Sequence, residues 1–409
     1  MKQRRKNNEK NEKNKNLYNK ILNNENAKNK NAKSNERSIK NIIKEDILKT
    51  VEGRKTTELS TEILNINKLH GLEYSLAIQK AARLIQEGEV VVFPTETVYG
   101  LGANAYDPNA IRKIYLIKNR PNDNPLIVHV SSIDMAKMLV TEFNEDAEKL
   151  VHEFWPGPLT LILPKSMIVP DVTTAGLDTI AIRMPDNKTA LDIIKTASLP
   201  IAAPSANLSG RPSITNGKDA YEELNSVVPL ILDGGQCKIG IESTVLNLTS
   251  DPLTILREGA ITKNQIEKVL NKKIEICKNC NIALSPGMKY KHYSPKATVY
   301  LAEPRDSRMK AIIAVLEKAE ELTKKDKKTM VVLSEEIPQR MKKQIEESIS
   351  PNGKIVVFKT VRDLTHWIFQ LFRKADRQGY KSIVIEGVAE DGIGSAVMDR
   401  LNKAADEMI

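Results

Sequence analysis

The chain has 409 residues, 41% of them hydrophobic and 28% charged, which is enough for two domains with buried cores. No run of about 18 apolar residues is present, and the basic N-terminus lacks the apolar part of a secretory signal, so we expect no membrane span and no export. The net charge of +10 resides in residues 1–57, which carry 17 Lys and Arg against 7 Asp and Glu. The rest of the chain has equal numbers of basic and acidic residues. The net charge is therefore a property of the tail and does not indicate a nucleic-acid-binding fold.

Residues 1–57 are dominated by Asn, Lys and Glu and contain few apolar side chains. Such a segment buries too little surface to offset the entropy of ordering, so we predict a disordered extension with a short helix near 38–49. Its positive charge would also attract RNA weakly and without sequence preference. A solvated extension is the simpler interpretation.

The three cysteines, Cys237, Cys277 and Cys280, are too few for a disulfide framework in a chain of this length. We therefore expect a reducing, cytoplasmic location. Cys277 and Cys280 form a CxxC pair, but His292 is the only further ligand nearby. We interpret them as linker cysteines and expect no zinc.

Patterned segments begin near residue 74. Apolar residues at helical spacing predict helices at 74–87, 108–118, 188–197 and 262–270. Short β-rich runs predict strands at 89–93, 126–130, 160–164, 179–185, 229–234, 243–248 and 254–257, with a turn entered at 200–205. Residues 70–283 are therefore predicted to form one α/β domain with a mixed sheet.

Residues 284–296 contain two Ser-Pro steps and a glycine, which are typical of a linker. Beyond it, strands are predicted at 298–302, 330–334, 355–359 and 382–388, and helices at 307–325, 336–346, 361–377 and 395–407. This alternation predicts a second, smaller domain at 297–409, with a parallel sheet and helices on both faces.

The sequence PTETVYGLG at 94–102 places Thr95 and Thr97 directly after a predicted strand. Gly100 and Gly102 allow a positive φ and close backbone approach, so we expect a strand, a glycine turn and a helix. That layout is general to small-ligand and phosphate sites, although no Walker lysine is present.

Cationic and amide side chains follow in KNRPNDNPLIVHV at 118–130. Lys118 and Arg120 precede two prolines that stiffen the loop, and Asn124 can donate to a phosphate or a ribose. His129 lies within the next strand, where a buried core histidine and a ligand contact are equally good interpretations.

Hydroxyl groups and further arginines come from three later segments. PSANLSGRPS at 204–213 supplies Ser205, Asn207 and Ser213 at a strand end. Arg183 lies on a half-buried strand and needs a partner, which a carboxylate substrate would provide. Ser243 and Arg257 flank other strands. The inventory is rich in donors and cations and lacks a nucleophile–base constellation, which suits attack on a phosphorus.

The motifs PTETVYGLGANA, IKNRPNDNPLIVHV, FWPGPLTLIL, IAIRMP, APSANLSGRPS, GIESTVLNL, ILREGAI and SPGMKYKHYSPKA together resemble the threonylcarbamoyl-AMP synthase family in its long, two-domain form. The resemblance covers 74–300, and DGIGSAVMDRLNKAA at 391–405 resembles the end of the long form. It implies a twisted open α/β sheet with a concave basic cavity, followed by a Rossmann-like accessory domain.

The resemblance also implies a reaction, in which L-threonine, bicarbonate or CO2, and ATP give L-threonylcarbamoyladenylate and pyrophosphate. A separate tRNA threonylcarbamoyl transferase would consume the product to make N6-threonylcarbamoyladenosine. Mg²⁺ would enter with ATP, held mainly through its phosphates, and no organic cofactor is implied.

Residue roles follow from the same resemblance. The implied threonine contacts are Thr97, His129, Arg183 and Ser243. The implied ATP contacts are Arg120, Asn124, Thr179, Ala203, Ser205, Ser213, Arg257 and Tyr293. The implied catalytic polar tetrad is Lys118, Arg120, Ser205 and Asn207. Tyr293 would bring the linker 284–296 over the site as a lid that excludes water.

Two other classes of function compete with this one. An RNA-binding module is disfavoured because aromatic residues are only 4% and no stacking platform is evident. A carbamoyltransferase of the hydrogenase-maturation kind would carry added cysteine pairs, which the chain lacks. A threonine-dependent ATP-to-pyrophosphate assay separates the three.

Overall fold

Two β-sheets organise the part of the chain that the computed structural model describes, residues 60–277, 292–303, 307–337 and 339–409. The predicted tail and helix 38–49, and residues 284–291 of the predicted linker, lie outside the described residues. Both sheets belong to one compact unit, Leu59–Ile409. We call residues 60–277 the large-sheet region and residues 292–409 the small-sheet region.

The large sheet has eleven strands. They are β1 Glu62–Asn65, β2 Val91–Phe93, β3 Gly100–Asn104, β4 Ile127–His129, β5 Leu159–Pro164, β6 Thr179–Arg183, β7 Ile201–Ala202, β8 Leu230–Asp233, β9 Thr244–Asn247, β10 Thr254–Arg257 and β11 Glu275–Ile276. Their order is β1-β8-β2-β3-β7-β4-β6-β5-β9-β10-β11. The sheet contains both parallel pairs, such as β4 with β6, and antiparallel pairs, such as β5 with β6, so the predicted mixed sheet is confirmed.

Seven helices cover this sheet: α1 Gly71–Gln86, α2 Pro108–Ile117, α3 Ile133–Met138, α4 Glu145–Phe154, α5 Lys188–Ala197, α6 Gly217–Leu224 and α7 Lys263–Leu270. Side chains cap most of their N-termini. Asp107 accepts from the Asn109 amide before Pro108 at the first helical position, and Thr262 forms a capping box with Gln265. Helices α1 and α5 pack together over one face of the sheet, in the cluster that contains Ile85 and Ile194.

The small sheet has five strands and four helices. The strands are β12 Thr298–Ala302, β13 Thr329–Ser334, β14 Gly353–Phe358, β15 Ser382–Glu386 and β16 Glu407–Met408. The helices are α8 Arg308–Lys324, α9 Gln339–Ile349, α10 Val361–Arg377 and α11 Ile393–Ala404. Every strand pair is parallel, in the order β14-β13-β15-β12-β16.

Successive residues of β13 point to opposite faces of the small sheet. Val331 packs in the cluster of α8 and α9, whereas Met330 and Val332 pack in the cluster of α10 and α11. A strand buried on both faces is a continuous apolar run, as MVVL is. The predicted parallel sheet with helices on both faces is confirmed.

One prediction about PTETVYGLG was wrong. Gly100 and Gly102 do not form a turn with positive φ; they lie in strand β3, which pairs antiparallel with β2. A Cβ on Gly102 would come within 2.5 Å of the Phe93 ring and 2.7 Å of Ile201. The glycines therefore permit close packing within the sheet, so the chain passes from strand to strand, and the turn is made earlier, by Thr95–Val98.

Two further predictions concern cysteines and membranes. Cys277 is disulfide-bonded, which corrects the expectation of reduced linker cysteines, whereas Cys237 is a free, buried thiol. Within the described ranges, none of the helices has the length and apolar character needed to cross a bilayer.

Candidate active site

A cavity lies where the ends of strands β4 and β6 meet the loop after β2. Eleven of the fourteen predicted site residues line it: Thr97, Arg120, His129, Arg183, Ala203, Ser205, Asn207, Ser213, Ser243, Arg257 and Tyr293. The parallel register of β4 and β6 sets His129 directly beside Arg183, which explains how residues 54 positions apart in the chain come together. The structure thus brings predicted residues from both sheet regions together around one cavity.

Arg183 is buried, and its guanidinium contacts two residues of the loop after β2. Nη1 donates to the Thr97 hydroxyl at 2.8 Å, and Nη2 lies 2.5 Å from a Glu96 carboxylate oxygen. That N–H is not aimed at the oxygen, so Nη2 donates no hydrogen bond to any described residue. The guanidinium has five N–H groups, so it keeps donors for a ligand.

Glu96 is the partner that the sequence interpretation missed. Its carboxylate is only 2% exposed and neutralises Arg183 from behind the cavity wall. The sequence indicated that Arg183 needs a partner and assigned a substrate carboxylate to it; the structure adds a protein carboxylate. Glu96 lies in the same PTET motif as Thr97, but the direction of its side chain depends on tertiary packing, which the motif does not reveal.

His129 faces the cavity as a neutral ring. Burial, and secondly the charge of Arg183, lower the pKa of His129 to about 3. Its Nδ1 has no hydrogen-bond partner among the described residues, and the ring edge packs at Phe93 with centroids 6.3 Å apart. His129 can therefore hydrogen-bond a ligand but carries no charge near neutral pH.

Two more arginines face the cavity. Arg120 donates to the backbone carbonyls of Asn124 and Pro125, and burial lowers its pKa to about 10, so it stays charged at neutral pH. Arg257 donates to the Ser243 carbonyl at 3.0 Å and to its hydroxyl at 3.1 Å. The lining thus presents three guanidinium groups, which suits an anionic ligand.

Three predicted site residues do not line the cavity. Lys118 is 1% exposed, and its ammonium donates to the backbone carbonyls of Ser205 and Asn207. Burial, and then the charge of Arg120, lower the pKa of Lys118 well below its ordinary value. Lys118 therefore fixes the loop that carries Ser205 and Asn207, beneath the cavity.

Asn124 and Thr179 are the other two. Asn124 is buried with its Oδ1 unpaired among the described residues. Thr179 begins β6 and Arg183 ends it, so the strand rise separates them by about 13 Å. Their implied contacts with ATP stay predictions.

Residues of the small-sheet region support the cavity wall through contacts that sequence reasoning did not assign. Glu242 lines the cavity, and its two oxygens accept from Ser213 at 2.5 Å and from Arg400 of α11 at 3.2 Å. Tyr293 stacks on Phe369 of α10, with ring centroids 5.1 Å apart. Nothing in the local sequence around Arg400 or Phe369 signals a contact with residues more than 70 positions away.

The cavity is small in this conformation, with a volume of about 50 Å³. That is room for a few water molecules and not for a nucleotide. Tyr293 and His292 form part of its lining, and Tyr293 is 4% exposed. A nucleotide would fit only after a rearrangement of the lining, of which these two side chains are part.

Four of the twelve buried polar atoms that lack a hydrogen-bond partner among the described residues belong to residues that line this cavity. They include Arg183 Nη2, His129 Nδ1, Asn207 Oδ1 and His292 Nε2. Such atoms are rare in native interiors because each costs about 1–3 kcal/mol. A polar ligand in this cavity could supply partners for these four atoms.

Comparisons with known proteins identify the family of this chain. The Sua5_yciO_yrdC family model, described as Telomere recombination, matches residues 83–259, and the model described as Threonylcarbamoyl-AMP synthase, C-terminal domain, matches residues 261–406. The chain is 44% identical over 334 residues to the threonylcarbamoyl-AMP synthase of Pyrococcus abyssi, covering 80% of this chain and 94% of that protein. It is 41% identical over 333 residues to the Bacillus subtilis enzyme of the same name, covering 80% and 92%.

A solved structure resembles the whole described fold. The crystal structure of P. abyssi Sua5 complexed with L-threonine has a TM-score of 0.77 and 41% sequence identity, covering 85% of this chain and 100% of that one. The likeness extends through both sheet regions, since 85% of the chain exceeds the large-sheet region alone.

Proposed function

This chain belongs to the threonylcarbamoyl-AMP synthase family, and from that premise we propose that it makes L-threonylcarbamoyladenylate and pyrophosphate from L-threonine, bicarbonate and ATP. The product would be passed to a separate transferase that forms N6-threonylcarbamoyladenosine in tRNA. The observation that supports this most is the set of buried polar atoms without a partner among the described residues, Arg183 Nη2 foremost, in a cavity lined by three arginines.

The threonine end of the cavity is formed by Arg183, Thr97, His129 and Ser243. Arg183 offers free N–H groups to a carboxylate, and its ion pair with Glu96 fixes the guanidinium in place. The neutral His129 ring can accept from or donate to the substrate without repelling its ammonium group. Ser243 is held by Thr160 at 2.8 Å and by Arg257.

The nucleotide end is formed by Arg120, Arg257, Ser205 and Ser213, with the backbone of Ala203. Arg257 contacts Ser243 and lines the same cavity as Arg120, so the α-phosphate would lie close to the threonine amine. Proximity of the two reacting groups is the main contribution expected here, because it makes a bimolecular step effectively unimolecular.

The proposed chemistry has two steps. The free amine of threonine attacks the carbon of CO2 or bicarbonate and forms an N-carboxylate. With CO2 the step releases one proton, and with bicarbonate it releases one water molecule. A carboxylate oxygen then attacks the α-phosphorus, and the bond to the β-phosphate oxygen breaks to release pyrophosphate. Arg120 and Arg257 offset the charge that develops on the phosphorus oxygens.

Magnesium would arrive as MgATP. The lining offers one carboxylate, Glu242, and Arg400 already pairs with it. Among the described residues there is no group of three His, Cys, Asp or Glu that could hold a metal. This donor set fits an ion held mainly by phosphate oxygens, as Mg²⁺ commonly is.

Pyrophosphate release from MgATP tests the proposal. We expect release to require both L-threonine and bicarbonate, and to fall when L-threonine is replaced by L-valine, which lacks the hydroxyl. Pyrophosphate release that does not respond to threonine would contradict the proposal. Transfer of a carbamoyl group without threonine would instead favour the carbamoyltransferase alternative.

A further inference from the structure

Arg400 is the most deeply buried charged residue of the small-sheet region. Its side chain on α11 is fully buried, at 0% exposure, and points toward the large-sheet region. There Nε donates to Glu242 at 3.2 Å, and Nη1 donates to the backbone carbonyl of Glu258 at 2.5 Å. A buried guanidinium needs such partners, because removing it from water costs several kcal/mol.

Glu242 connects Arg400 to the cavity. Burial opposes ionisation of Glu242, but Arg400 and then Arg257 outweigh it and hold the pKa of this carboxyl below its ordinary value. The ionised carboxylate accepts from the Ser213 hydroxyl, which lines the cavity. Contacts therefore run from Arg400 to Glu242, and from Glu242 to Ser213 at the cavity.

The same guanidinium lies beside Tyr293. The guanidinium carbon of Arg400 lies 5.9 Å from the centroid of the Tyr293 ring. The Phe369 ring stacks on the same tyrosine ring. Arg400, Phe369 and Tyr293 all belong to the small-sheet region. The cavity wall on this side is therefore incomplete without that region.

We propose that Arg400 is a positioning residue through which the small-sheet region orients Glu242, and with it Ser213 and Tyr293, for nucleotide binding. This inference rests on the proposed function, because it assigns Arg400 to the nucleotide end of that site. Arg400 itself does not line the cavity, so its effect on ATP is transmitted through Glu242. Loss of the guanidinium leaves a buried carboxylate that faces Arg257 alone and is free to rotate away from Ser213.

A second arginine between the two regions supplies a matched control. Arg377 of α10 pairs with Asp219 and Glu222 of α6, so it also joins the small-sheet and large-sheet regions. Asp219 and Glu222 do not line the cavity. If Arg400 only held the two regions together, Arg377→Gln and Arg400→Gln would have the same kind of effect on the protein.

The test uses the full chain and measures kcat, the KM for ATP and the KM for threonine, together with the melting temperature. Arg400→Gln should raise the KM for ATP about tenfold or more and change the KM for threonine less than threefold. Arg400→Lys should recover part of the ATP affinity because it keeps the charge beside Glu242. Arg377→Gln should lower the melting temperature with both KM values within twofold of the wild type.

Three results separate the inference from its premise. If the wild-type chain forms no threonylcarbamoyladenylate, the proposed function fails. If it does, but Arg400→Gln leaves the KM for ATP unchanged, the positioning role fails. If Arg400→Gln and Arg377→Gln change the kinetic constants equally, Arg400 merely holds the two regions together and the inference is overturned. Should Arg400→Gln not fold, Arg400→Lys alone carries the KM comparison.

Discussion

Replacing Arg183 tests the threonine end of the site and the ion pair behind it together. Arg183→Met removes the guanidinium but leaves Glu96 buried at 2% exposure with no counter-charge. Breaking a buried pair by removing one partner costs about 3–5 kcal/mol, so the free energy of unfolding should fall by about that amount. A simple loss of activity in this variant would therefore be ambiguous.

The double variant Glu96→Met/Arg183→Met resolves the ambiguity. Replacing both partners of a buried ion pair by apolar residues of similar size is often nearly neutral, so at least half of the lost stability should return. Threonine affinity should not return, because the guanidinium is still missing. Loss of a buried charged contact costs about 2 kcal/mol or more, which corresponds to about a 30-fold rise in the KM for threonine.

The assay combines urea unfolding with threonine-dependent pyrophosphate release at saturating MgATP. The expected pattern is a stability that recovers in the double variant and a threonine KM that stays high in both variants. A double variant with wild-type threonine KM would refute the assignment of Arg183 to the substrate carboxylate. A double variant less stable than Arg183→Met would refute the account of the Glu96 ion pair.

Three further predictions concern stability and the supporting loops. The folded chain holds His129 neutral, with a pKa of about 3 against an ordinary 6.5, so the folded state binds fewer protons than the unfolded state and loses stability as pH falls. Between pH 6.5 and 5 the free energy of unfolding should fall by about 2 kcal/mol through this residue. In urea unfolding, His129→Gln should abolish this loss, whereas the control His152→Gln, at an exposed position, should leave it in place. Gly240 has a φ of 94°, and a Cβ there would lie 2.6 Å from the His366 carbonyl oxygen. Gly240→Ala should therefore lower the free energy of unfolding by about 2 kcal/mol or more, measured by thermal unfolding. The control Gly379→Ala should cost about 1 kcal/mol, because its φ is also positive but the space around it is open. Lys118→Met leaves two backbone carbonyls without their donor, so it should lower the free energy of unfolding by about 2–6 kcal/mol and reduce pyrophosphate release. The control Lys113→Met breaks a half-exposed ion pair with Glu89 and should change the free energy of unfolding by less than about 1 kcal/mol. Equal effects of the two lysine variants would argue against the supporting role of Lys118.

Elements with a strong local pattern were predictable from the sequence. The runs VVF, TIAIR and MVVL became strands where expected, and α10 begins at Val361 after its N-cap Thr360, which forms a capping box. Helices α4 and α6 were not predicted, although each starts at an asparagine N-cap, Asn144 and Asn216. Their caps were a usable signal, but both helices are short and carry few apolar residues.

Strand β3 shows a limit of local reasoning. Its sequence, GLGAN, is typical of a turn, yet it forms a strand in which Phe93 and Ile201 fill the space that a Cβ on Gly102 would take. Likewise, the three arginines of the cavity were predictable as cations at strand and loop ends, but their directions were not. The Arg183–Glu96 and Arg400–Glu242 pairs are tertiary contacts that no spacing in the chain encodes.

The most direct test of the account is mass spectrometry of the product formed from ¹³C-bicarbonate, ¹⁵N-threonine and MgATP. We predict an adenylate that carries both labels, formed in step with pyrophosphate and absent from Glu96→Met/Arg183→Met at low threonine. An adenylate without the ¹³C label would mean that threonine is activated directly through its own carboxylate. That result would contradict the proposed cavity, in which Arg183 holds the carboxylate away from the α-phosphorus.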